Sequence, residues 1–410
     1  MNVNGARLKQ ELEELGLISE MAPPAVTRVL FTEVDLRGRA YVKNLCREAG
    51  LEIREDAVGN TFARWVGSEP VLPAAATGSH IDAIPNAGAY DGTVGVLGGL
   101  EAIRTLQSSG YHPRRSIELV MFTSEEPTRF GIGCLGSRLM SGVLDANAGA
   151  HLKGKDGVSL DDARRAAGFD GPLESVRLHP GAYYAFVELH IEQGPLLERG
   201  KTDVGLVTAI AAPAGFKIWI EGEGGHAGAV LMPDRRDAFL AAAEIALAVE
   251  SCVKASGSID TVGTVGVCEV FPGAVNSVPS KARLEVDVRD IDGTRRDAVL
   301  EAIYTECDAI AARRGVTLRR ELVNADPPAQ CDIDIVGVMQ KACADQGATS
   351  QLMISRAYHD TLFMARIAPS AMLFIPCRNG VSHRPDEYSS PEAIVIGTAV
   401  LAETLAQLAR

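Results

Sequence analysis

The chain is predicted to be an α/β protein: an α/β/α domain on a central mixed sheet, carrying an inserted ferredoxin-like α+β domain. Three observations predict this. In the first part of the chain, short apolar runs alternate with helically spaced segments, the pattern of layered α/β architecture. Between residues 212 and 327 the order becomes strand, helix, strand, strand, helix, strand, which is the split βαβ pattern. After Asn324-Ala325-Asp326-Pro327-Pro328, a segment that reads as a linker, the first pattern resumes to the end. The larger domain is therefore expected to be discontinuous, at 1–211 and 328–410, with the smaller one inserted at 212–327.

The elements follow in order. Val71 to Ala76 is an apolar run leading toward His80. Gly92–Gln107 has apolar residues at helical spacing, with Gly95, Gly98 and Gly99 permitting close packing. Ser116–Thr123 reads as a buried strand, and Glu188–Gly194 alternates polar with apolar residues as a strand does. In the insert, strands are expected at Phe216–Glu221, Thr261–Val270, Arg283–Asp290 and Val316–Leu322. Helices are expected at Asp234–Ala255 and Thr294–Arg313. Arg283–Asp290 alternates strictly, placing Leu284, Val286 and Val288 on one face. Ala371–Pro376 is a last apolar run. Ala393–Ala409 carries Glu403 and Gln407 and reads as an amphipathic helix, not a membrane span.

At 410 residues the chain can bury two cores. Its net charge of −13 disfavours nucleic acid or an anionic membrane as a partner. An anionic small substrate would need local Arg or Lys residues. The eight cysteines form no CxxC, and the N-terminal segment lacks an apolar signal region. Free thiols in a reducing cytoplasm are expected.

The chemistry is concentrated in a few motifs. In Gly78-Ser79-His80-Ile81-Asp82, His80 and Asp82 are two residues apart and would point the same way at a strand end. An imidazole can then ligate a metal while a carboxylate orients it from behind, although His and Asp also meet as ordinary surface pairs. Asp91, closing the Gly-rich loop that follows, could turn back as another ligand. Glu125 and Glu126 follow a buried strand, at the end where open α/β sheets bind ligands. Adjacent residues diverge, so one could ligate while the other addresses the attacking water; a solvated loop is the alternative. On a strand, Glu188, His190 and Glu192 share a face. His383 lies in a turn-rich loop after the run Ala371–Pro376. His80, Asp91, Glu126, His190 and His383 together make a donor set suited to two divalent ions such as Zn²⁺ or Mn²⁺, with Co²⁺ or Ni²⁺ also compatible. Gly131-Ile132-Gly133-Cys134-Leu135-Gly136 spells GxGxxG, but Glu125 and Glu126 precede it and would repel a phosphate. Its glycines are expected to allow close backbone approach instead.

The segments GSHIDAIPNAGAYDG, TSEEPTRFGIGCLGSRLMSG, ELHIEQGP, GGHAGAVLMPDRRDA, SRAYHD and GVSHRPDEYSS resemble the hydantoinase/carbamoylase amidases of the aminoacylase-type metallohydrolase superfamily. The resemblance spans about Gly16 to Leu408. It implies hydrolysis of a non-peptide C–N bond in a ureido or N-carbamoyl carboxylate, with ammonia released. It also implies two metals per subunit: His80 and His190 on one, Glu126 and His383 on the other, Asp91 bridging. Asp82 would orient His80, and Glu125 would be the general base. The insert would be a dimerisation and lid domain in a homodimer with a shared site, His226 entering the partner's site to stabilise the oxyanion. Asn276 and Arg289 would grip the substrate carboxylate, and Gln193 its ureido end. Arg289 lies on the polar face of an alternating strand, where a salt bridge with Asp287 or Asp290 is the competing reading.

Tyr358 and His359 are placed with the substrate-binding residues. Carbamoylases and allantoate amidohydrolases usually carry Gly at the position of Tyr358. The forms Ala83-Ile84-Pro85 and Arg356-Ala357-Tyr358-His359-Asp360 look most like the ureidoglycolate-cleaving members of the group. Two alternatives of other kinds are a catalytically inactive binding dimer of the same fold and a true peptidase. The first should lack the base or a ligand, and all those positions are filled. The second is disfavoured by His226, Asn276 and Arg289.

Overall fold

The computed structural model describes all 410 residues. The chain divides into two compact units, Met1–Thr208 with Gln330–Arg410, and Ala209–Ala329.

The first unit is built on a mixed sheet. Four neighbouring strands are parallel, in the spatial order Ser370–Ile375, Tyr183–Ile191, Ala74–His80, Ile117–Phe122. Antiparallel strands flank them: Val204–Ile210 on one side, Thr61–Trp65 and then Glu52–Glu55 on the other. Both faces of this sheet are covered. Along Ile117–Phe122, Ile117, Leu119 and Met121 join one apolar cluster while Val120 and Phe122 join another. The first cluster includes Leu97 and Leu100 of the helix Thr93–Ser108 and Val400 and Leu401 of the helix Pro391–Leu408. The second includes Leu135 and Leu139 of the helix Leu135–Ser141. Each fully buried Leu or Ile contributes about 1.5–3 kcal/mol, which is what holds three layers together. Two-sided burial also explains why Ile117–Phe122 and Ser370–Ile375 read as nearly continuous apolar runs. Pro391–Leu408 has the length and hydropathy of a membrane span, but most of it is buried in this core.

The first predicted strand starts late. Val71 is 92% exposed and pairing begins at Ala74. Pro70 and Pro73 keep the intervening residues in a turn, because proline cannot donate to a ladder.

The second unit has four antiparallel strands in the order Val262–Phe271, Lys281–Asp290, Ala212–Glu221, Thr317–Ala325. Taken in sequence, their spatial order is that of the split βαβ unit. The helices Ala238–Ala255 and Gly293–Arg314 pack against the sheet, and their apolar residues enclose the buried Leu284, Val286 and Val288. The first of these helices begins four residues later than Asp234, because Asp237 caps it by accepting from the N–H groups of Phe239 and Leu240. A short ribbon pairs Gly225–His226 with Ser277–Val278.

Candidate metal centre and active site

The four parallel strands all end at one edge of the sheet, and each delivers there side chains able to ligate a metal. The first strand ends at His80, and the loop beyond it supplies Asp91. The strand Ile117–Phe122 runs into Glu125 and Glu126, the strand Tyr183–Ile191 carries His190, and Ser370–Ile375 leads to His383. The helix Thr93–Ser108 brings Asp91 close. Gly95 lets that helix settle on the sheet, since a Cβ there would lie 2.3 Å from the Leu189 carbonyl oxygen.

The donors form two triads that share Asp91: His80, Asp91, His190 and Asp91, Glu126, His383. Asp91 Oδ1 lies 3.5 Å from His80 Nε2 and 3.2 Å from His190 Nε2. Its other oxygen lies 3.4 Å from His383 Nε2, which is itself 3.2 Å from Glu126 Oε1. One carboxylate thus faces each donor group with a different oxygen, as a bridging ligand does. Four-coordinate ions with bonds of about 2.0–2.1 Å set neighbouring donors about 3.3 Å apart, so these separations fit.

The hydrogen bonds fix useful tautomers. His80 Nδ1 lies 3.0 Å from the Asp82 carbonyl and His190 Nδ1 2.9 Å from the Ile191 carbonyl, so both rings donate backwards. In the neutral rings Nε2 then has a lone pair facing Asp91, and His190 Nε2 lies 3.2 Å from the Gly92 N–H. These are the atoms a metal requires. Gln193 presents a further polar group: its amide nitrogen donates to Asp91 Oδ2 at 2.6 Å, while its buried Oε1 has no partner.

His80, Asp91, Glu126 and His190 are buried, and His383 stands exposed at the mouth. Burial alone would raise the Asp91 carboxyl, but His190, His383 and His80 pull it well below the usual carboxylate range. His383 is pushed up to about 11 by Asp91 and Glu126. Glu125 belongs to neither triad, and its Oε2 lies 3.8 Å from His80 Nε2. Burial raises it well above the carboxylate range against the pull of His80, with Glu126, Asp360 and Asp91 adding to the rise. The Cys134 thiol reaches Glu125 Oε1 at 3.4 Å. Three non-glycine residues at the centre, Ser124, Gln193 and His383, hold positive φ. Each such residue stores about 1–3 kcal/mol of strain, which the surrounding bonds must sustain.

Several expectations are revised by the structure. The Asp82 carboxylate lies 3.5 Å from His80 Nδ1, too far to orient it by a hydrogen bond. Its carbonyl does that, while its carboxylate accepts the N–H groups of Glu125 at 3.2 Å and Glu126 at 3.0 Å and so sets the glutamate turn. Glu188 shares a face with His190 but accepts from Ser79 Oγ at 2.8 Å and Thr361 N at 3.1 Å, locking neighbouring segments together. Glu192 caps the turn at Leu196 and Leu197.

His359, expected at the substrate, is 1% exposed, bonded to Ser355 Oγ at 2.9 Å, with its ring 4.6 Å from that of His190. It supports His190 from behind. The Tyr358 hydroxyl meets Arg138 Nη2 at 3.4 Å, and its ring stacks on Phe363. The GxGxxG segment folds back on the glutamate turn, Cys134 N bonding to the Glu125 carbonyl and Leu135 N to that of Ser124, both at 2.8 Å. Sequence reasoning missed Glu387 and Ser382, whose partners lie nearly 300 residues away and leave no local periodicity to read.

In the second unit, His226 and Asn276 come together on the ribbon, where Ala227 N donates to the Asn276 carbonyl at 2.9 Å. Both side chains are exposed. His226 Nδ1 accepts the Gly228 N–H at 3.1 Å, which leaves Nε2 as the donor. Arg289 makes a two-pronged pair with Asp287 at 2.8 and 3.2 Å, the competing partner named above.

A shared carboxylate between two imidazole-bearing triads, with a free glutamate beside them, is the donor arrangement of a two-ion hydrolase centre. The chain belongs to peptidase family M20/M25/M40, whose model matches residues 76–407. It is 55% identical over 415 residues to the ureidoglycolate hydrolase of Arabidopsis thaliana, covering 100% of this chain and 87% of that one. With the N-carbamoyl-L-amino acid amidohydrolase of Geobacillus stearothermophilus it shares 39% over 409 residues, covering 100% and 99%. A crystal structure of AtUAH in complex with glyoxylate superposes with a TM-score of 0.90 at 54% identity, covering 100% of this chain and 98% of that one. The members named for non-peptide amides are hydrolases of C–N bonds, and this chain is one of that kind.

Proposed function

We propose that this chain hydrolyses the ureido group of ureidoglycolate, with two divalent ions held by His80, Asp91, His190, Glu126 and His383. The observation that carries the reading is Asp91, which presents one oxygen to each donor group while Glu125 stays outside both. The ions, Mn²⁺ or Zn²⁺ (Co²⁺ or Ni²⁺ also suit these donors), would supply Lewis acidity to the attacking water and the carbonyl. Glu125 takes the proton from that water and returns it to the leaving nitrogen. Its raised pKa and the Cys134 contact suit a group that must hold a proton in mid-reaction. His226 of the partner subunit donates from Nε2 to the oxyanion, which makes the working unit a homodimer. Asn276 and Arg289 bind the carboxylate, Arg289 exchanging its Asp287 partner for substrate. Eight unpaired cysteines support a cytoplasmic setting.

Substrate choice rests on the relatives and on Tyr358. A second ureidoglycolate hydrolase, from Oryza sativa subsp. japonica, is 54% identical. AtUAH has also been crystallised with (S)-hydroxyglycine. Breaking the bond between the ureido carbonyl and the substituted nitrogen of ureidoglycolate leaves hydroxyglycine, and the carbamate released collapses to ammonia and carbon dioxide. Tyr358 has a hydroxyl able to meet a substrate hydroxyl or carboxylate.

The test is ammonia release by Mn²⁺-loaded protein from ureidoglycolate, allantoate and a panel of N-carbamoyl-L-amino acids, with an EDTA-treated control. Preference for ureidoglycolate is expected. Preference for allantoate or a carbamoyl amino acid would discard the substrate and keep the chemistry. Release without metal, or none, would overturn the two-ion reading. Inactive H226A and E125Q subunits should regain partial activity when mixed as heterodimers, and no recovery would refute the shared site.

A further inference from the structure

Glu387 is a buried carboxylate placed beside another one, Asp91, in the wall of the metal centre. Burying like charges together is unfavourable unless their oxygens are well bonded. Here they are. Oε1 accepts the N–H of Tyr90 at 2.8 Å and that of Asp91 at 3.0 Å. Oε2 lies 2.8 Å from Ser382 Oγ, and the same hydroxyl lies 2.6 Å from Asp91 Oδ2. One side chain therefore grips the Asp91 loop by its backbone and the His383 loop through Ser382. The fit is close, since a Cβ at Gly88 would lie 2.3 Å from Glu387 Cβ. The Glu387 N–H closes its own loop on the Arg384 carbonyl at 3.1 Å.

His383 is the one exposed donor, it holds a positive φ, and its loop has no strand to fix it. We infer that Glu387 is a positioning residue: with Ser382 it sets the spacing between Asp91 and His383, and so the affinity for the ion those two residues share with Glu126. This inference rests on the two-ion reading above. Outer bonds of this kind typically alter metal affinity 10- to 100-fold.

The experiment is Zn²⁺ titration of full-length, metal-stripped protein against a chromophoric chelator, for the parent, E387A, E387Q and S382A. The parent should bind two ions. In E387A one of the two ions should bind roughly 10- to 100-fold less tightly, and kcat at limiting metal should fall while KM moves less than about threefold. E387Q keeps an acceptor for the two N–H groups, and its amide nitrogen can donate to Ser382 Oγ while that hydroxyl donates to Asp91, so it should stay within about threefold of the parent. S382A, which removes only the hydroxyl link, should weaken the same ion, and it keeps the test decisive if E387A fails to fold. Parent-like affinity in S382A and E387A overturns the inference, and loss in E387Q equal to that in E387A overturns the geometric role. A parent that binds no ions would instead refute the two-ion reading itself.

Discussion

Gly92 gives the sharpest test of the centre. It is buried, holds φ +66°, and starts the helix Thr93–Ser108. A Cβ there would lie 2.4 Å from His80 Nε2 and 2.5 Å from two ring carbons. Ordinary contact begins near 3.4 Å. In G92A the imidazole must therefore retreat by about 1 Å, whereas metal–donor distances tolerate about 0.2 Å. Backbone strain adds about 1–3 kcal/mol. Strain alone has its own control, because Gly110 holds φ +77° with nothing within 4 Å. G110A should lose stability only. G92A should lose stability, at least one of two bound ions, and at least about 100-fold in kcat/KM, the cost of misplacing a reacting group by about 1 Å. Ion content by mass spectrometry, thermal unfolding and ammonia release measure the three. A G92A protein with two ions and the turnover of G110A would show that His80 does not ligate.

E125Q should lose turnover by at least about 100-fold while keeping both ions, because Glu125 lies outside both triads; activity close to the parent's would remove it as the base. R289A should raise KM at least about tenfold with a smaller change in kcat, and an unchanged KM would assign Arg289 to its pair with Asp287. Asp56 predicts a pH dependence away from the site: burial raises its carboxyl to about 6, against bonds from Asn60 and Val58. The folded state therefore holds the proton more tightly, so this stability is complete below the unfolded pKa near 3.8 and is lost as pH rises through about 6. The difference in unfolding free energy between parent and D56N should shrink by roughly 2 kcal/mol between about pH 4 and 7. A flat difference would refute it.

Local order made much of this molecule readable from its residues. The strict alternation of Arg283–Asp290 identified a strand and its buried face, because a strand's side chains alternate whatever its neighbours are. The apolar run Ser116–Thr123 identified a strand buried on both sides, and the candidate donors were visible as His and acidic residues beyond such runs or, for His190, on the face of an alternating strand. The first strand was misplaced by three residues because Pro73 interrupts an apolar run that Pro70 precedes.

Residue type and periodicity determined which side chains could serve, and roughly where each strand would deliver them. Only the tertiary structure decided what each one does. Asp82, Glu188 and Glu192 read alike as polar residues near strand ends, yet Asp82 and Glu188 are engaged by backbone N–H groups of distant segments, Glu192 caps the next turn, and His359 is buried behind His190. Glu387 acquires its part from Tyr90 and Asp91, nearly 300 residues earlier. A carboxylate's task is set by the donors that surround it. Those donors arrive through strand order and loop closure, which act across the whole chain and leave no trace in local spacing.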